Sequence, residues 1–309
     1  MTKLKEYRFS IPRRIVQFIS FIIINYAILE FIFIINLNSL EPFVKALPIL
    51  AAPENPLSKG AGFAEYLFYF IAEGEFPFLL LGILVLIILF SNRFFCGWIC
   101  PIGTIQDGLS AFPTKKKKVG IETHKTLLGL KYLIVILLLI IIVPLGITKI
   151  TDEEFHNDYK NALGDIARNP VGYFSLSEYL FVFFPQLVEE MWEKENLEPL
   201  FTEFAVFLMF AFYLIVLIVA AYYPRAYCRY ICPFGAITAA ISDYSFLKLS
   251  RSPVRCVGRA DCGICERVCP KQIRILDEPF EFFTGNGECD LCVKCMESCP
   301  YDAVELRFG

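Results

Sequence analysis

Four long apolar runs constrain this chain more than any other feature. They span roughly residues 15–36, 76–90, 132–148 and 204–223. A helix needs about 20 apolar residues, and at least ~17, to cross a bilayer. The first and fourth runs reach that length directly. The second gains Phe94 and Phe95, and the third gains Leu127 to Leu130. As buried helices of a soluble protein, such runs would exhaust the core of a 309-residue chain. Hydrophobic residues make up 56% and charged residues 20%, a balance outside that of ordinary soluble domains. Four transmembrane crossings are therefore expected.

Charge sets their direction, because cytoplasmic flanks carry the excess of Lys and Arg. Lys3, Lys5, Arg8, Arg13 and Arg14 precede the first run, and only Lys45 and Lys59 follow it. The next connection carries Arg93, Lys115 to Lys118 and Lys125. The one after that is dominated by acids, from Asp152 to Glu195, and Arg225 and Arg229 flank the last crossing. The alternation predicts a multi-pass protein of the cell (inner, cytoplasmic) membrane with both termini cytoplasmic. Arg13-Arg14 reads as flanking charge and not as a twin-arginine export signal, since no small-residue cleavage site follows.

The membrane part reads as a duplication. Glu65-Tyr-Leu-Phe-Tyr-Phe70 recurs as Glu178-Tyr-Leu-Phe-Val-Phe183, and Cys96-Gly-Trp-Ile-Cys-Pro-Ile-Gly103 recurs as Cys228-Arg-Tyr-Ile-Cys-Pro-Phe-Gly235. Two crossings per half give the halves the same orientation, related by an axis along the membrane normal. The expected domains are 1–112 and 113–250, two parallel transmembrane repeats each ending in CxxxCP, and 251–309, a small α+β ferredoxin-like domain.

The twelve cysteines fall into two pairs and two groups of four. Disulfides would suit an even count, but closely spaced thiols in Cys-Pro motifs suit metal ligation better. Cys289-x2-Cys292-x2-Cys295-x3-Cys299-Pro is the bacterial ferredoxin run, whose fourth cysteine ligates the other cluster. Cys256-x5-Cys262-x2-Cys265-x3-Cys269-Pro has the same ending and a longer first gap. One [4Fe-4S] cluster is thus assigned to Cys256, Cys262, Cys265 and Cys299, and the other to Cys289, Cys292, Cys295 and Cys269. Structural zinc is the plainer alternative for CxxC pairs.

The tail resembles two-cluster bacterial-type ferredoxins. On its paired CxxxCP motifs plus that tail, most of the chain resembles the membrane polyferredoxin family. That family includes the membrane subunit accompanying periplasmic nitrate reductase, the nitrous-oxide-reductase regulator and the FixG/CcoG-type oxidase assembly proteins. The resemblance implies electron transfer between the quinone pool or a redox partner (a subunit or soluble carrier) and cytoplasmic clusters. It also leaves room for a membrane metal-ion reductase serving cofactor assembly. A structural anchor of a redox complex is a third reading. No additional extracytoplasmic flavin domain is expected.

Each CxxxCP motif should break its helix before the proline and start a new one, whose free N–H groups and nearby arginines favour an anion and lower thiol pKa. Under the repeat axis, Cys96, Cys100, Cys228 and Cys232 would meet and could share a third [4Fe-4S] cluster. Another metal, a redox dithiol or plain structural cysteines are alternatives. His124 and His156 read as solvated loop residues, and neither sits in a haem motif. No haem, flavin, nucleotide or nucleic acid is indicated. Lys115 to Lys118 should meet lipid headgroups. Glu30 should pair or snorkel near the outer membrane face, and the segments beginning at Glu65 and Glu178 should be interfacial aromatic helices.

Overall fold

The computed structural model describes residues 8–34, 36–50, 52, 55–57, 62–112, 116–168, 171–196, 198–202 and 204–309. Lys3, Lys5, Lys59 and Lys115, which count toward the charge pattern, lie outside the described residues.

All four apolar runs are helical, but unequally so. The first splits into α1 (Ser10–Ile24) and α2 (Ala27–Phe33). The break falls at Asn25, which is fully buried and turns its side-chain amide back onto the Phe21 carbonyl at 2.8 Å. Such local side-chain bonding competes with helix propagation. After α3 (Phe63–Ala72), the second run forms α4 (Phe78–Ser91), whose 14 residues rise only about 21 Å against a hydrocarbon core of about 30 Å. Two helices among the described residues are each long and apolar enough to cross a bilayer alone. They are Ile121–Thr151 and Phe204–Tyr222.

Each CxxxCP segment folds alike. In the first half, α5 (Phe94–Trp98) is followed by α6 (Pro101–Leu109). Helix α7 (Ile121–Thr151) and α8 (Glu153–Leu163) follow, then α9 (Phe184–Glu193) and α10 (Phe204–Tyr222). In the second half, α11 (Ala226–Tyr230) precedes α12 (Pro233–Ser242). Cys100 (ψ 125°) and Cys232 (ψ 114°) are pushed out of helical geometry by the prolines that open α6 and α12.

The repeated EYLFxF segments diverge. The first is α-helical, whereas Tyr179–Phe183 forms a π turn. Glu65, Leu67, Phe68, Tyr179 and Phe181 are buried, so these segments are largely core and not the surface anchors expected. Glu30 accepts a hydrogen bond from the Leu37 N–H at 2.8 Å, which fits the pairing expected of it. The histidines depart from expectation. His156 is buried against the Leu145 carbonyl, and His124 is half-buried against Tyr230 and Arg229.

In the tail, β1 (Leu247–Arg251) pairs antiparallel with β2 (Val304–Phe308), from Leu247 opposite Phe308 to Arg251 opposite Val304. Leu249, Ile273, Ile275, Phe283, Leu291 and Val304 pack around Cys265, Cys289 and Cys295. The tail seats directly on the CxxxCP segments. Trp98 Nε1 donates to the Leu291 carbonyl at 2.9 Å, and Ser242 Oγ to the Gly287 carbonyl at 2.8 Å. Gly97 lies flush against the Asp290 carbonyl, and Gly287 against that of Ala239, with no room for a Cβ at either place. The start of α1 joins the same face, where Glu297 accepts the Phe9 and Ser10 N–H groups at 2.9 Å.

Candidate functional site

The four CxxxCP cysteines line one small cavity, together with Leu50, Arg93, Ile102, Phe234 and Gly235. The two halves are interlocked there. Arg93, three residues before Cys96, comes within 3.3 Å of where a Cβ at Gly235 would stand. Arg225, three residues before Cys228, comes within 3.9 Å of the matching point at Gly103. Each half thus places an arginine against the helix start of the other, the reciprocity expected of a twofold-like axis. N–H groups point at the sulfurs. Cys100 accepts from the Ile102 and Gly103 backbone, Cys232 from Gly235 N at 3.3 Å, and Cys228 from Gln106 Nε2 at 2.9 Å.

A second cavity, of similar size, lies inside the tail and is lined by Cys269, Cys289, Cys292 and Cys295, with Lys271 and Asp290. This set matches the crossed assignment. Of the other tail set, Cys265 lies within electrostatic reach of Cys256 and Cys299. Arg251 donates to Cys256 Sγ at 3.8 Å, and Ala303 N to Cys299 Sγ at 3.3 Å. Cys262 is partly exposed beside them in sequence, and its carbonyl accepts from Arg267.

Between the two cavities lies a buried ionic layer. Arg225 pairs with Asp107 on α6 and Asp290 in the tail, and its Nη2 also reaches the Gly97 carbonyl at 3.2 Å. Arg13 from α1 pairs with the same Asp107. Arg93 and Lys131 share Glu288. Arg229 donates to the Pro270 carbonyl at 3.2 Å, and Lys271 lies 3.5 Å from the Cys228 carbonyl. Six cations (Arg13, Arg93, Lys131, Arg225, Arg229, Lys271) and three acids (Asp107, Glu288, Asp290) in this layer are each less than 7% exposed.

That surplus bears on what the cavities can hold. A buried charge without a counter-charge costs several kcal/mol, so the layer calls for additional negative charge. Thiolate-ligated [4Fe-4S] groups supply it. Among the described residues, the buried Nε groups of Arg93 and Arg229 find no hydrogen-bond partner, nor does that of Arg251 beside Cys256. Among the described residues, no three His, Cys, Asp or Glu side chains converge tightly enough to share one metal ion. Four thiols around a cavity suit a multi-atom group better than a single zinc.

Cys100, Cys228 and Cys232 are not activated as the helix starts and arginines had suggested. Burial pushes the thiols up, Cys100 and Cys292 to about 12 and Cys265 to about 11. Without metal these thiols are neutral, and ligation must release their protons. The acids show the reverse. Burial raises the Asp290 carboxyl, but Arg225 and then Lys271 outweigh it and bring it to about 2.

Sequence reading found all twelve cysteines and missed the residues that join the two regions. Asp107, Gln106, Lys131, Lys271, Glu288 and Asp290 carry the interface. Two of them, Glu288 and Asp290, flank Cys289, and an acid on either side of a ligand cysteine was the available signal. Lys116 and Lys118, expected at lipid headgroups, donate to the Ala221 and Glu266 carbonyls at 2.8 Å.

A family model described as a 4Fe-4S binding domain matches twice, at residues 74–120 and 205–252. Both matches fall on the CxxxCP halves. An uncharacterized protein of Methanocaldococcus jannaschii is 27% identical over 248 residues, covering 78% of this chain and 83% of the relative. YccM of Escherichia coli, whose name proposes a role in electron transport, is 26% identical over 252 residues, covering 78% and 59%. The ferredoxin-type protein NapH of Haemophilus influenzae is 22% identical over 233 residues, covering 71% and 65%. No solved structure matches. The site and these matches define an iron–sulfur protein of the electron-transfer class. More narrowly, the chain is similar to membrane-associated 4Fe-4S electron-transport proteins.

Proposed function

We propose that this protein is a four-crossing membrane electron carrier with three [4Fe-4S] centres in line. The first is held by Cys96, Cys100, Cys228 and Cys232 at the inner membrane face. The second is held by Cys269, Cys289, Cys292 and Cys295, and the third by Cys256, Cys262, Cys265 and Cys299 in the cytoplasm. The observation that carries the reading is the single cavity lined by cysteines of both halves, stacked on the tail cavity. Each cluster would supply one-electron storage. The chain's part is to fix position, exclude water and hold charge. Backbone and Gln106 N–H groups serve the sulfurs, and such bonds tune cluster potential. Arg225 spans from the Cys96 carbonyl to Asp290, beside Cys289, which gives a short connection between the first two sites.

Both termini are placed in the cytoplasm. The positive flanks support this, as does the contact of the α1 start with Glu297, which joins that end of α1 to the tail. At the membrane face, electrons are exchanged with the quinone pool or with a partner subunit. Electron paramagnetic resonance of the reduced, anaerobically purified full chain tests the reading. Cys96→Ala and Cys228→Ala should each remove the same signal and spare the tail signals. Loss of different signals in the two variants, or of none, would overturn the shared centre.

A further inference from the structure

The tail meets the membrane part at a second place, away from the cysteines. Phe246 N donates to the Leu89 carbonyl at 2.7 Å, and Asn92 Nδ2 to the Leu247 carbonyl at 3.0 Å. The last turn of α4 is thereby tied to the start of β1. Three rings cluster at this join. Phe90 of α4 lies 5.6 Å from Phe246 and 6.5 Å from Phe308 of β2, and those two lie 5.9 Å apart, centroid to centroid. The cluster is not core. Phe90 is 56% exposed and Phe308 66%, and Tyr244, two residues before Phe246, is 76% exposed. It continues a stripe on α4. Leu79, Ile83, Leu86 and Phe90 recur at helical spacing, and all four are exposed. In a crossing helix that stripe faces lipid, so the rings of the tail extend a lipid-facing surface.

One step along the ladder, charge replaces rings. Lys248 stands directly opposite Arg307. Like charges opposed across a ladder are destabilising, so this register gains from a bound anion. Both side chains leave the face opposite Leu249 and Leu306. Glu305, on the same face as Arg307, is paired with Arg255. It also borders a groove with Arg8 and Phe9, at the start of α1. The sheet thus sits between the end of one apolar helix and the start of another, at the level of lipid headgroups. Rings at that level with Lys and Arg just beyond them form an interfacial anchor, since long basic side chains reach back to the headgroups.

We propose that this end of the tail is a bilayer-docking surface for acidic lipid. Phe90, Phe246 and Phe308 enter the interface, and Lys248 and Arg307 bind the headgroup phosphates. The inference rests on the crossings of α1 and α4 proposed above. Leu249 and Val304 of the same two strands pack around Cys265, Cys289 and Cys295. Lipid contact therefore steadies the walls of the tail sites through residues that ligate nothing.

The test is hydrogen exchange of the full chain, kept anaerobic, in nanodiscs of phosphatidylcholine alone or mixed with phosphatidylglycerol. Amides of 246–251 and 304–308 should exchange on the order of tenfold more slowly in the acidic discs, from two basic residues near an anionic surface. Lys248→Gln combined with Arg307→Gln should remove that lipid dependence and leave the iron content unchanged. High salt should remove it in the unaltered chain, a readout that needs no variant. Equal exchange in the two lipids, or a difference that survives both the double substitution and salt, would overturn the docking. Equal protection by inorganic phosphate in neutral discs would overturn lipid as the partner. A photoreactive group on the lipid acyl chain should label residues 79–90 in either disc. No label there would remove the α4 crossing, and the docking with it. Label there with lipid-independent exchange would overturn the docking alone.

Discussion

The two cavities are alike in size and in their four cysteines, yet they are built in opposite ways. In the tail, three of the four come from the short run Cys289–Cys295 and one from Cys269. At the membrane face, the pairs come from separate halves of the chain and meet only when the repeats fold together. The tail site is written in local spacing, whereas the membrane-face site is written in symmetry. The first should therefore survive damage to the second, while damage to the ionic layer between them should be felt on both sides.

The largest effect expected is at Arg225. Arg225→Met leaves Asp107 and Asp290 buried without their shared guanidinium, a loss of about 3–5 kcal/mol. Denaturant unfolding in detergent would measure it. Arg93→Met should cost less, because Lys131 still holds Glu288. Equal losses would argue against the asymmetry between the two arginines. Asp107 adds a pH signature. Burial raises its carboxyl, but Arg225 and Arg13 outweigh burial and hold it well below the usual range. Its contribution should be complete above the ordinary carboxylate value of about 3.9 and drain away as pH falls below it. Stability lost on raising pH from 4 toward neutrality, about the ordinary working range, would contradict that sign.

Gly97→Ala comes next. The new Cβ would press on the Asp290 carbonyl, at about 1–3 kcal/mol for overpacking. Both cavities should remain, but the tail should become more open to protease and electron transfer between the sites slower. Unchanged transfer would separate docking from conduction. The smallest effect on the join between the sites is expected at Gln106→Leu, which removes the N–H···S bond to Cys228 and the acceptor of the Tyr227 N–H, worth about 0.5–1.5 kcal/mol each. Only the membrane-face signal should shift. A shift in a tail signal would mean that the two sites are not as separate as their construction implies.

The same contrast explains what could be read in advance. Cysteine spacing announces the tail sites, because ligation there depends on neighbours in sequence. The repeat announces the membrane-face site, because Cys96 and Cys228 occupy equivalent places. Helix lengths were less legible. Apolar runs do not reveal that Asn25 interrupts the first or that α4 is only 14 residues long. The ionic layer was the least legible part. Arg93 and Arg225 looked like membrane-flanking charges, and their burial follows from a docking surface that local pattern does not encode. His156 misled for the same reason, because α8 folds back over α7 and covers it.

In the proposed electron carrier, two pairs of cysteines from two halves hold one cluster. Iron analysis of the full chain, reconstituted and kept anaerobic, tests it most directly. Three cubanes of four irons predict about twelve per chain, falling to about eight in Cys96→Ala and equally in Cys228→Ala. About eight irons in the unaltered chain would contradict it.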